Sequence, residues 1–193
     1  MFKNRWMLFI YIAIILIFLP QLIFTFVNRP KKIEGSVFSD ENLHFSLSLP
    51  DENWHFSNYR KAKDGIQIEM TLKDRKDDFP VIVVGVVKPK KPLSDSELEK
   101  FFVEVPKQKT YKEGGKMVKG IDETLFKDIP AKEAEYDLTL KKGDKHFRLK
   151  LILIQRDEGE KKIYYIISFA ANFDEYDDHY KDFKKFVESW KFI

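Results

Sequence analysis

Apolar residues fall along this chain in three distinct rhythms, and each predicts a different kind of element. From Trp6 to Val27 the sequence WMLFIYIAIILIFLPQLIFTFV carries no charge, and only Pro20, Gln21 and Thr25 interrupt its apolar character. As a helix these 22 residues reach about 33 Å, enough for a hydrocarbon layer of about 30 Å. From Leu43 to Leu49 the rhythm changes to strict alternation, with Leu43, Phe45, Leu47 and Leu49 against His44, Ser46 and Ser48. That is the period of a half-buried strand, and Gly65 to Lys73 repeats it with Ile66, Ile68, Met70 and Leu72 on one face. Pro80 to Val87 is a continuous β-branched run, expected of a strand inside a sheet and buried on both faces.

The third rhythm is helical. Ser94 and Glu97 form a capping box ahead of Leu98, Phe101, Phe102 and Val105, and Pro106 ends the segment. Strands follow near Glu123 to Phe126, then over Ala131 to Leu140, His146 to Gln155 and Lys162 to Ala171, separated by KDIP, KKGD and DEGE turns. A last helix runs from about Asp174 to Trp190 with Tyr176, Tyr180, Phe183, Val187 and Trp190 on one face. Trp54, Phe56 and Tyr59 are expected to cap a sheet edge after the first strand. The whole is an α+β chain, an antiparallel sheet of about six strands covered by helices and preceded by one transmembrane helix.

The organisation predicted is a cytoplasmic tail at 1–5, a transmembrane signal-anchor at 6–27, a linker at 28–36 and a single domain at 37–193. The apolar run continues past Pro20 with bulky residues in place of a small-residue cleavage site, which favours an anchor over a cleaved signal peptide. Trp6, Ile10, Ile14, Phe18, Ile23 and Val27 are then anchor residues in contact with lipid. With five residues ahead of the span, the large domain is expected outside, on the periplasmic face of a bacterial inner membrane.

Charge sharpens this picture. The 193 residues hold 34 bases and 31 acids, a net charge of +3. Five of the bases, Lys3, Arg5, Arg29, Lys31 and Lys32, lie within residues 1–32 without an acid, so residues 33–193 stand at 29 against 31. The domain is slightly acidic, which argues against nucleic acid as a partner. The bases after the span are suited to anionic headgroups. The chain has no cysteine, which removes disulfides, thiolate metal sites and cysteine nucleophiles.

FSLSLPDENW, FKDIPA, KIYYIISFAA and the closing YKDFKKFVESWKFI, in this order, resemble the PsbP-like superfamily across nearly all of residues 37–193. The resemblance implies an α/β/α sandwich used as a binding or assembly module, with no functional residues to carry over.

Phosphate loops, dinucleotide fingerprints, nucleophile elbows and HExxH patterns do not occur, so no catalytic residues, cofactor or metal ligands are assigned. DEYDDH, Asp174 to His179, resembles a hard-cation ligand set, but acids at a helix start are explained by the macrodipole alone. PKQKTYKEGGKMVKG, Pro106 to Gly120, is expected to be a lysine-rich contact loop, with Lys107, Lys109, Tyr111, Lys112, Lys116 and Lys119 as partner-binding residues. The function expected is a noncatalytic membrane-anchored accessory or assembly subunit that stabilises a larger membrane or envelope complex. The alternative is an envelope protein that binds a small molecule or metal ion. The sequence leaves oligomeric state open.

Overall fold

The structure, a computed structural model, describes residues 33–62, 65–75, 78–159 and 161–193. The anchor residues Trp6, Ile10, Ile14, Phe18, Ile23 and Val27 lie outside the described residues. Among the described residues, no helix is long and apolar enough to cross a membrane.

Ten strands and two helices are described. They are β1 (Val37–Asp40), β2 (Phe45–Ser48), β3 (Trp54–Ala62), β4 (Gly65–Leu72), β5 (Val81–Val87), α1 (Asp95–Glu104), β6 (Lys116–Phe126), β7 (Ile129–Thr139), β8 (His146–Glu158), β9 (Lys161–Asn172), α2 (Tyr176–Ser189) and β10 (Lys191–Phe192). Seven strands form one antiparallel sheet in the order β3-β4-β5-β9-β8-β7-β6, and β1-β2-β10 form a second, three-stranded sheet. β9 therefore sits at the centre of the large sheet, where its YYIISFAA run is buried on both faces. β5 lies beside it, and the β-branched run Val81–Val87 is buried as its composition predicts.

Two cores, one on each face of the large sheet, follow from the alternation of β8 and β9. On one face Phe147, Leu149, Leu151, Tyr164 and Ile166 pack against Leu98, Phe101, Phe102 and Val105 from α1 and its 3₁₀ extension. On the other, Ile152, Ile154, Ile163, Tyr165, Ile167 and Phe169 meet α2 and the small sheet through Phe45, Leu47, Phe183, Phe186 and Trp190. The layers are helix, sheet, then helix with the small sheet. Glu97 accepts the Ser94 backbone N–H at 2.8 Å, which closes the predicted cap on α1.

The architecture corrects the sequence reading in three places. The large sheet has seven strands where about six were expected. The alternating segment Leu43 to Leu49 pairs in the small sheet, because its one buried row faces α2 and the aromatic core while β1 and β10 take its edges. Trp54, Phe56 and Tyr59, expected to cap a sheet edge, lie on the edge strand itself, β3, with Trp54 and Phe56 in the core.

Candidate functional site

The segment from Val105 to Gly120 begins as a 3₁₀ turn at Val105–Lys107 and ends as the first half of β6. Between them the chain is stitched to the β7–β8 turn. Lys112 N–H donates to Thr139 C=O at 2.8 Å, Lys141 N–H donates to Thr110 C=O at 3.0 Å, and Tyr111 bridges Leu140. Tyr111 is 2% exposed, and its ring centroid lies 5.8 Å from that of Phe147. Burial pushes its phenol well above the ordinary tyrosine range. Gly114 makes the turn at a φ of +99°, where a side chain is strained.

The loop expected from sequence is thus a short, tied connection followed by an edge strand. Five of its six candidates, Lys107, Lys109, Lys112, Lys116 and Lys119, are exposed. Tyr111 is a core side chain, since the apolar ring fills the space beneath the turn and is not available at the surface. Lys107 reaches Glu104 at 3.1 Å and Lys112 reaches Asp144 at 2.6 Å. Lys109 and Lys116 form no ion pair among the described residues. A cleft of about 440 Å³ opens here between Lys112, Lys116, Asp137, Asp144, His146 and Phe173. His146 stacks on Phe173 at 4.6 Å, which forms one wall.

Lys119 belongs to another arrangement that the sequence did not reveal. Register places charged residues of β6, β7 and β8 in adjoining rows on the α2 side of the sheet, with Glu135 opposite Lys150, Asp137 opposite Arg148 and Asp122 opposite Glu133. Lys150 Nζ lies 3.0 Å from Glu133 and 3.2 Å from Glu135, and Lys119 Nζ lies 2.9 Å from Glu133 and 3.5 Å from Asp122. Arg148 grips both oxygens of Asp137 at 2.8 and 3.4 Å and covers the rings of Phe173 and Tyr176. The Lys150 side chain is only 6% exposed.

Burial pushes the Glu133 carboxyl up, but hydrogen bonds from Lys119 and Lys150 outweigh it and hold the group below its usual range. Burial pulls the Lys150 ammonium down, and the bond to Glu133 outweighs it, leaving the group raised. Alternating charges satisfy one another here, so the ladder holds three strands together and offers no free acid or base for chemistry.

DEYDDH does not gather as a ligand set. Glu175 pairs with Arg75 and accepts from Asn172 at 2.9 Å, while His179 Nε2 meets Arg75 at 3.0 Å. A guanidinium thus stands between the two best ligands. Among the described residues, no group of three or more His, Asp or Glu side chains converges as a metal site.

No protein-family model matches the chain, and a comparison with curated proteins finds no match in sequence. Solved structures do match. LpqN, described as involved in cell envelope biogenesis of Mycobacterium tuberculosis, aligns at a TM-score of 0.56 with 14% identity, over 84% of this chain and 88% of its own. The cyanobacterial PsbP protein of Synechocystis aligns at 0.54 with 14% identity, over 91% of this chain and 99% of its own. The domain therefore has the PsbP-like fold.

Proposed function

We propose that this chain is a noncatalytic, membrane-anchored accessory or assembly subunit that binds a larger membrane or envelope protein complex through its folded domain. The observation that carries the reading is the lysine-bearing end of the sandwich. Four exposed lysines, Lys107, Lys109, Lys112 and Lys116, project from one segment whose backbone is pinned to the β7–β8 turn, and Lys109 and Lys116 form no ion pair among the described residues. A surface already held in shape loses little entropy when a partner docks, and its charge selects an acidic partner. The fold shared with an envelope-biogenesis protein supports the setting. So does the uncharged run from Trp6 to Val27, which in this reading is a signal-anchor with the domain on the extracytoplasmic side. Anchoring confines the domain near its target and raises its effective concentration, so weak contacts suffice.

The test is affinity purification of the full chain from mild detergent, with Lys109→Glu plus Lys116→Glu as the paired variant. These two lysines are chosen because neither is engaged in an ion pair among the described residues, so their reversal is expected to leave the fold intact. The expected result is a stoichiometric partner that the wild type retains and the variant loses. A wild-type chain that elutes alone overturns the proposal. Topology is tested separately with a single introduced cysteine, for example Lys142→Cys, and a membrane-impermeant thiol reagent. The native chain has no competing thiol.

A further inference from the structure

At the opposite end of the sandwich, the ends of three strands bring lysines to one cavity. Lys61 is the penultimate residue of β3 and pairs with Ile66, Lys88 follows the end of β5, and Lys161 opens β9. The registers Gly65 to Val87 and Val87 to Tyr164 align these ends at one edge of the sheet. With Lys90 they line a cavity of about 480 Å³ whose other walls include Asp40, Asn42, Leu43, Ile66 and Pro89.

Among the described residues, the lining of this cavity carries four lysines and one carboxylate. Lys88 is paired with Glu158, which also meets His44 at 2.7 Å. Asp40 is engaged by the Leu43 backbone N–H at 3.0 Å. Lys61, Lys90 and Lys161 have no carboxylate within ion-pair distance among the described residues. Lys61, Lys90 and Lys161 are exposed, and with Lys88 they outnumber Asp40 in the lining, which raises the positive potential that an anion would meet there. The ladder on β6 to β8 shows how this protein treats lysines that have structural work, since each is matched there with carboxylates.

We propose that this cavity binds a phosphate group carried by a small organic moiety. Lysine ammonium groups are compact point charges that suit the spread charge of a phosphate, and Asn42 adds a neutral amide donor. The volume exceeds that of a bare phosphate and falls in the range of small-molecule sites. Leu43, Ile66 and Pro89 provide an apolar wall for the attached group. Both an anionic phospholipid headgroup and a soluble phosphorylated molecule have this chemistry. The proposal concerns the end of the domain away from the Lys109 surface and stands independently of the partner reading.

The experiment is lysine footprinting of the full chain with an amine-reactive reagent, read by mass spectrometry. One arm adds glycerol 3-phosphate to the chain in neutral detergent, against sodium chloride at matched ionic strength. The other compares nanodiscs of phosphatidylcholine with nanodiscs containing one-third phosphatidylglycerol. The expected result is protection of Lys61, Lys90 and Lys161 with no change at Lys109, Lys141 and Lys142. Protection by glycerol 3-phosphate identifies a soluble source, and protection by phosphatidylglycerol alone identifies a headgroup. Each lysine changed to glutamine is expected to weaken the response about fivefold. Protection in neither arm, or equal protection of all lysines, overturns the proposal. Failure of the chain to enter nanodiscs argues against the membrane anchor and leaves the first arm to decide the site.

Discussion

Lys150→Met removes one charge from the ladder while keeping most of the side-chain volume, and its cost follows from what is left behind. Glu133 retains Lys119 at 2.9 Å. Glu135 loses its ammonium partner at 3.2 Å and is left with 21% of its side chain exposed. Breaking a fully buried pair costs about 3–5 kcal/mol, and the water that still reaches Glu135, with the surviving Lys119 contact, reduces this to about 2 kcal/mol. For a domain of this size that is a fall in Tm of about 4–8 °C at pH 7. Thermal unfolding of the full chain in mild detergent, followed by tryptophan fluorescence, measures it, because Trp54 and Trp190 are buried in the core.

The sign of the pH dependence is also determined. Glu133 titrates below its usual value in the native protein, so its contribution is present above about pH 4.3 and lost as pH falls through the lower folded value. Lys150 is raised, so its contribution is present below about pH 10.4 and lost as pH rises through the higher folded value. The gap between wild type and variant is therefore widest between these limits and narrows under acid. Adding Glu135→Gln to the variant is expected to restore about 1 kcal/mol. A variant as stable as wild type at pH 7, or a gap that does not shrink on acidification, refutes the reasoning.

Three further outcomes are expected. Tyr136→Phe removes the buried bond in which its hydroxyl donates to the Phe102 carbonyl at 3.1 Å, and urea unfolding is expected to register a loss of about 1–2 kcal/mol. Gly65→Ala places a Cβ 2.1 Å from the Val86 carbonyl oxygen, so β4 and β5 must separate locally; a destabilisation of about 1–3 kcal/mol in thermal unfolding checks this. Ser189→Ala deletes the hydroxyl that accepts the Ser48 N–H at 3.0 Å, and hydrogen exchange is expected to accelerate at Ser48 with a cost of about 1 kcal/mol.

Much of the fold was legible wherever one rhythm persisted. β4, β5, β7, β8 and β9 alternate or run apolar without interruption, and both helices carry apolar stripes with acids at their starts. β3 was missed because its register shifts between Phe56 and Asn58, so the buried row passes from Trp54 and Phe56 to Tyr59 out of phase. The first half of β6 read as a loop for the same reason. Irregularities between Met117 and Lys119 and between Lys119 and Asp122 break its period, and lysines on an exposed edge strand look like solvent-facing turn residues. The six candidate contact residues were picked by charge and proximity, a criterion that cannot separate exposed lysines from the buried Tyr111. The charged ladder was hidden because alternating charges on β7 and β8 look like a wet face, and only the position of α2 shows that Lys150 is enclosed. The lysine cavity depends on residues about one hundred positions apart meeting at one sheet edge, which no local pattern records.

The small sheet gives the domain a mechanical hierarchy. β1 is its outer strand, and four register pairs from Val37 with Ser48 to Asp40 with Phe45 hold it to β2. Force applied to the chain ahead of Val37 would meet β1 at its first residue, so the pairs would open one after another and not all at once. β2 remains clamped on its other edge by β10, and Ile193 N–H donates to His44 C=O at 3.1 Å. Such a force would be met first by one short outer strand, ahead of the seven-stranded sheet.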